Sequence, residues 1–141
     1  MLQSELIEKD AEFVFDASVA LRALVAKQET ATAWMRRVQW GEITGTWPEL
    51  AYVDIANGLR TLVHAKTWST SQATDAMARA IEFPMGRTPI AGLVPAALAI
   101  GLDRGLTPYD ACYVVLAELL DATLVTGDRR LAAAVSKSVL V

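Results

Sequence analysis

The chain has 141 residues, 53% of them hydrophobic, a formal net charge of −3 and one cysteine. That length suits one domain with a real core, and the apolar content excludes a disordered chain. A single cysteine excludes an internal disulfide and a cysteine zinc cluster, and the charge balance is not that of a typical nucleic-acid binder.

Met1 to Glu12 holds four acids and one lysine, which accounts for the whole −3. Residues 1–11 read as a flexible acidic segment. They hold no apolar run, so no secretory signal is expected, and a reducing cytoplasm is the natural setting. Glu12 to Asp16 is a short apolar strand ending in aspartate, and Ala17 to Ala26 follows with the 3–4 spacing of a helix. Glu29 to Trp40 is a second helix, stopped at Gly41. Ile43 to Trp47 is a short strand, after which Pro48 opens a third helix reaching His64. Ala51, Ile55, Leu59 and Leu62 form its core stripe. Asp54 lies beside that stripe, Asn57 sits on its flank, and Glu49 in the first turn reads as exposed. A turn over Thr67 to Ser71 leads to a helix ending at Ile81, with Ala73, Met77, Ala80 and Ile81 packing inward.

Arg87 to Ala91 suits a brief strand and Gly92 to Arg104 an alanine-rich helix. The longest uncharged stretch, Thr88 to Leu102, is too short to span a bilayer and contains Pro89 and Pro95. Thr107-Pro108 is a helix start, a hydroxyl cap followed by proline at the first helical position. Ala111 to Ala117 then runs without a charge, so this helix is expected to be buried all round, with Asp110 at its edge. Cys112 falls inside it as a core filler. Ala122 to Thr126 is a β-branched strand, Arg129 to Val135 a helix, and Lys137 to Val141 a last strand. Strands alternating with helices imply an α/β layer fold with a mostly parallel sheet.

The chemistry is narrowed by what is missing. His64 is the only histidine and has no nucleophile signature near it. No GxGxxG and no GxxxxGK[ST] loop is present. The first strand ends in a lone Asp16 rather than a paired DxD, which disfavours a phosphatase of the haloacid type. What remains is Asp16, Asp54, Asp110 and Asp128. Asp16 and Asp128 each follow a strand and precede a helix, so each alone reads equally as an N-cap. Asp110 and Asp54 sit against apolar faces, where a carboxylate is costly unless compensated. Gathered together, the four would repel one another unless a cation neutralised them. Oxygen-only ligands suit Mg²⁺ or Mn²⁺, which polarise phosphodiesters and acidify bound water.

Four segments carry a resemblance: Phe13 to Ala20, Pro48 to Arg60, Leu106 to Glu118, and Leu124 to Ala132. In order and spacing the chain resembles the PIN-domain family, and within it the VapC-type toxins of type II toxin–antitoxin pairs. The resemblance implies a three-layer α/β/α fold and a Mg²⁺- or Mn²⁺-dependent endoribonuclease, in which metal-activated water attacks an RNA phosphodiester. It also implies a homodimer and a neutralising antitoxin. By position, Asp16, Asp110 and Asp128 match the family's acidic residues, while Ser18, Asn57 and Thr126 match supporting polar residues. The second acidic position, usually glutamate, is Asp54 here, one methylene shorter, which implies that it works through water rather than by direct ligation. Arg22, Arg129 and Arg130 are candidates for phosphate contacts, or else solvated helix charges. An alternative is a PIN-fold module that binds RNA or protein with little cleavage.

Overall fold

The computed structural model describes residues 12–141; the acidic segment 1–11 lies outside the described residues. Five strands form one sheet: β1 (Glu12–Phe15), β2 (Thr44–Pro48), β3 (Gly86–Thr88), β4 (Thr123–Thr126) and β5 (Ser138–Leu140). Their order is β3-β2-β1-β4-β5 and every neighbouring pair is parallel. Parallel strands must be joined by crossovers. The described residues supply seven helices: α1 (Ala17–Leu24), α2 (Glu29–Gln39), α3 (Leu50–His64), α4 (Thr70–Glu82), α5 (Val94–Arg104), α6 (Pro108–Leu120) and α7 (Arg129–Ala133). This is the expected three-layer α/β/α arrangement, with a sheet that is wholly rather than mostly parallel.

Strand alternation sends Phe13 and Phe15 to one face. There both rings meet Trp34 of α2, at centroid separations of 5.2 and 6.5 Å. Helix α6 lies against β1, β2 and β4, and α5 packs on α6. Ala111 to Ala117 are all buried, as a helix without a polar face requires. Gly45 in β2 has a steric cause: a β-carbon there would stand 2.7 Å from the Met85 sulfur and 2.8 Å from a Val38 methyl.

Two details differ from the sequence reading. Pro48 ends β2 opposite Thr88 instead of opening α3. A strand end tolerates its missing N–H, and Glu49 N–H takes up the Thr88 carbonyl at 2.8 Å. Helix α4 starts at Thr70 behind a capping box in which Ser69 and Gln72 satisfy each other's backbone N–H groups. Its inward face is Ala73, Ala76, Met77 and Ala80. Ile81, eight residues beyond Ala73, lies about 80° round the helix and is 42% exposed.

Strand β1 is the centre of the sheet. The chain leaves it for β2 on one side, and β4 lies on the other. The order of winding reverses at the carboxyl ends of β1 and β4, where open α/β sheets form their binding crevices. Asp16 ends β1 and Asp128 lies two residues past β4.

Candidate active site

The two strand-end aspartates are both helix caps. Asp16 has extended backbone, and its Oδ1 accepts the N–H of Ser18 at the start of α1. Asp128 does the same for α7, its Oδ1 accepting from Arg130 N at 2.8 Å and Leu131 N at 3.4 Å. Capping occupies one oxygen of each carboxylate and leaves the other to face its neighbours. The Thr126 hydroxyl donates to Asp16 Oδ2 and accepts the N–H of Asp128 at 2.9 Å. Thr126 is 0% exposed, so this hydroxyl joins the two aspartates by a water-free link. Ser18 adds a second tie, its Oγ accepting the Gly127 N–H at 2.9 Å. Two of the three supporting residues inferred from the resemblance, Ser18 and Thr126, therefore stand inside the network.

Asp110 enters from the first turn of α6, where the Thr107 hydroxyl caps its N–H at 3.2 Å. The Arg130 guanidinium donates to Asp110 Oδ2 at 3.2 Å and lies 4.0 Å from Asp128 Oδ2. Asp54 enters from α3, and its Oδ2 accepts the hydroxyl of Tyr113 at 2.8 Å. Tyr113 is one turn along α6 from Asp110 and only 2% exposed. In the sequence it is one more uncharged residue of the Ala111 to Ala117 run. The signal that could have found it is the phenol itself, since a buried tyrosine hydroxyl needs a polar partner.

The electrostatics agree with the geometry. Burial, above all, pushes the Asp16 carboxyl up from its ordinary value of 3.8; hydrogen bonds from Thr126 and Ser18 oppose this, and the Asp128 charge adds to it. Burial also raises Asp54, opposed by the Tyr113 hydroxyl and reinforced by Asp110 and Asp16. Asp110 is raised by burial too, with Arg130 pulling down and Asp128 pushing up. Burial and the neighbouring Asp54 charge push the Tyr113 phenol far upward, so it stays a neutral donor. Four carboxylates on α1's cap, α3, α6 and α7's cap thus sense one another across one edge of the sheet.

Other expected participants lie elsewhere. Asn57 is exposed, and among the described residues no hydrogen bond joins its side chain to this network. Glu49 is exposed, as expected. Arg22 is not available for phosphate contacts. Its guanidinium donates to the carbonyls of Gly127 at 3.0 Å and Val141 at 3.2 Å. A β-carbon on Gly127 would overlap that guanidinium, so glycine and arginine are matched at this loop. Arg130 is held by Asp110, and Arg129 is exposed.

The donor set is all oxygen and mutually repelling, which fits a hard divalent cation. Among the described residues no three Asp, Glu, His or Cys side chains are gathered around one point as ion ligands. Arg130 supplies the positive charge between Asp110 and Asp128 instead, and it would have to swing out for a cation to take its place. Among the described residues no helix is long and apolar enough to cross a membrane.

The PIN domain family model matches residues 13–137. The chain is 34% identical over 122 residues to the VapC ribonuclease Mb0985 of Mycobacterium bovis, covering 84% of this chain and 87% of that one. In fold it is similar to the crystal structure of PAE2754 from Pyrobaculum aerophilum. That likeness has a TM-score of 0.74 at 21% identity, covering 92% of this chain and 90% of the other. A toxin–antitoxin complex from Klebsiella pneumoniae shares the fold at a TM-score of 0.63 and 16% identity, over 89% of this chain and 94% of that one.

Proposed function

The chain belongs to the PIN-domain family, and from that premise we propose that it is a metal-dependent endoribonuclease, the toxin of a type II toxin–antitoxin pair, acting in the cytoplasm. The observation that carries this reading is the placing of four carboxylates at the switch point of the sheet, where burial first, and neighbouring carboxylates after it, raise Asp16, Asp54 and Asp110. Like charges placed together are costly unless a cation neutralises them, and a binding surface alone gains nothing from four such carboxylates, Asp16 buried and the other three half-buried.

Asp16, Asp110 and Asp128 would hold Mg²⁺ or Mn²⁺ once Arg130 is displaced. When bound, such an ion supplies polarisation of an RNA phosphodiester and a more acidic water. The protein's own part is positional. Thr126 fixes the free oxygen of Asp16 relative to the Asp128 backbone. Ser18 fixes the β4–α7 loop. Asp54 has one oxygen bound by Tyr113 and one left over, which suits it to accept a proton from, and so orient, an attacking water. Cleavage would leave a 5′-phosphate and a 3′-hydroxyl.

A partner is supported by one exposed apolar face and one partly open cavity. Val94, Leu98 and Leu102 recur every fourth residue on α5 and are 43%, 54% and 79% exposed, which favours a homodimer through this face. A cavity of about 350 Å³ between α1, α2 and α4, lined by Leu24, Met35, Trp47 and Phe83 among others, would take apolar anchors of an antitoxin.

The test is cleavage of a mixed RNA pool by the purified chain with Mg²⁺ or Mn²⁺, abolished by EDTA and by Asp128→Asn. Asp54→Ala should reduce cleavage strongly and Glu49→Ala should keep it. Binding of RNA without any metal-dependent cleavage would replace this reading by that of a binding module.

A further inference from the structure

We propose that Tyr113 is a positioning residue of the cleavage reaction, one that compensates for the short carboxylate at Asp54 by clamping it from α6. The assignment rests on the nuclease reading given above.

The Tyr113 phenol has two polar neighbours, the Asp54 carboxylate and the Ala17 backbone N–H at the start of α1, and only the carboxylate uses its proton. Tyr113 lies in the most apolar helix of the chain, between Cys112 and Val114, and is 2% exposed. Phenylalanine would fill the same space without a buried hydroxyl to satisfy. The hydroxyl is used, however. It donates to Asp54 Oδ2 at 2.8 Å, and this is the hydrogen bond that links the α3 carboxylate to the helix carrying Asp110. The bond joins a neutral donor to an ionised acceptor, a stronger class than a neutral pair.

Asp54 has only two side-chain torsions and sits in the middle of α3, with no helix cap to fix it. A free carboxylate there could turn between rotamers and present either oxygen or neither. The phenol removes that freedom by holding Oδ2, so Oδ1 is presented in one direction. Because α6 also carries Asp110 one turn away, the clamp sets the Asp54 carboxylate in a fixed relation to Asp110. Tyr113 touches no reacting atom itself; it acts through Asp54. It keeps its proton, so it contributes orientation and not proton transfer.

The test uses the full chain and three variants: Tyr113→Phe, Asp54→Ala, and the double variant. The phenyl ring preserves the core volume, and circular dichroism melts measure how much of each protein is folded. Per folded molecule, Tyr113→Phe should lower kcat about tenfold or more with KM within about twofold, the scale of one hydrogen bond to a charged group. In the Asp54→Ala background the same change should cost nothing further, because the clamp has nothing left to hold. Melts without metal give a second readout: the two substitutions should be non-additive in stability as well. A Tyr113→Phe protein as active as wild type, or losses that simply multiply in the double variant, overturns the assignment. An inactive wild-type chain sinks the nuclease reading and this assignment together, whereas an active wild type with an equally active Tyr113→Phe sinks the assignment alone.

Discussion

Asp16→Asn should make the protein more stable while abolishing its activity. Asp16 is 5% exposed, and burial and the Asp128 charge both disfavour its ionised form. Asparagine has the same shape and is an equally good N-cap, so Ser18 N–H keeps its partner. One hydrogen bond changes sense: the amide would now donate to Thr126, whose own hydroxyl proton loses its acceptor. That loss costs on the order of 1 kcal/mol. Removing a buried, repelled charge outweighs it, because burial and the Asp128 charge disfavour the ionised form more than the Thr126 and Ser18 hydrogen bonds favour it. A net gain of about 0.5–2 kcal/mol is expected, the usual return from relieving a strained functional site. In a chain this size that is a rise in Tm of roughly 2–8 °C.

The pH dependence gives the sign independently. The folded carboxyl titrates above its ordinary value of 3.8, so between those two values the unfolded chain binds fewer protons than the folded one. Wild-type stability should therefore fall as pH rises from 3.8 through the raised folded value, as linkage requires. The advantage of Asp16→Asn should be absent in acid and reach its plateau near neutrality. Melts in EDTA across this range, beside RNA cleavage at neutral pH, decide the matter. An Asn variant that melts below wild type at neutral pH would mean that capping by the carboxylate outweighs repulsion, and the reasoning fails.

Thr126→Val keeps the volume but strands Asp16 Oδ2 and the Asp128 N–H in a buried place; a loss of about 1–3 kcal/mol in chemical denaturation is expected, and unchanged stability would show that the hydroxyl is not the link. Arg22→Leu should lower the melting temperature through the freed Gly127 and Val141 carbonyls, with KM for RNA unaltered; raised KM at full stability would restore a phosphate role. Arg130→Gln should tighten Mn²⁺ binding in calorimetry about twofold to fivefold, the scale of an exposed ion pair. Weaker binding would instead make Arg130 part of the cation site.

The fold was legible because each local signal agreed with the next. Thr107-Pro108 announced α6, the apolar run announced its burial, and an apolar run ending in Asp16 and a β-branched run followed by Gly127-Asp128 marked β1 and β4. Asp16 and Asp128 were placed correctly by topology alone, since both follow strands of one parallel sheet. The misses have local causes. Pro48 reads as a helix start because proline suits the first turn, yet here the strand end tolerated it too. Ile81 looks inward because it is apolar, yet eight residues beyond Ala73 it has turned about 80° off the inward face. Arg22 looked like a surface charge because its partners, Gly127 and Val141, are more than a hundred residues away in sequence. Tyr113 was missed for the same reason: its partner lies on another helix.

The four carboxylates are not equivalent, and the difference explains where the fold spends its hydrogen bonds. Asp16 and Asp128 cap helices and Asp110 lies in the first turn of α6. All three therefore sit where unpaired N–H groups and the positive end of a helix dipole favour a negative charge. Asp54 is the fifth residue of α3, beyond the reach of that effect, which fades within the first turn. Asp110 also has Arg130, and Asp16 has both Thr126 and Ser18. Among the described residues the Tyr113 hydroxyl is the one hydrogen-bond donor to the Asp54 side chain. Capping and chemistry are thus compatible demands on one aspartate, because a carboxylate has an oxygen for each. At the one position where the backbone offers no cap, a side chain from the neighbouring helix does that work.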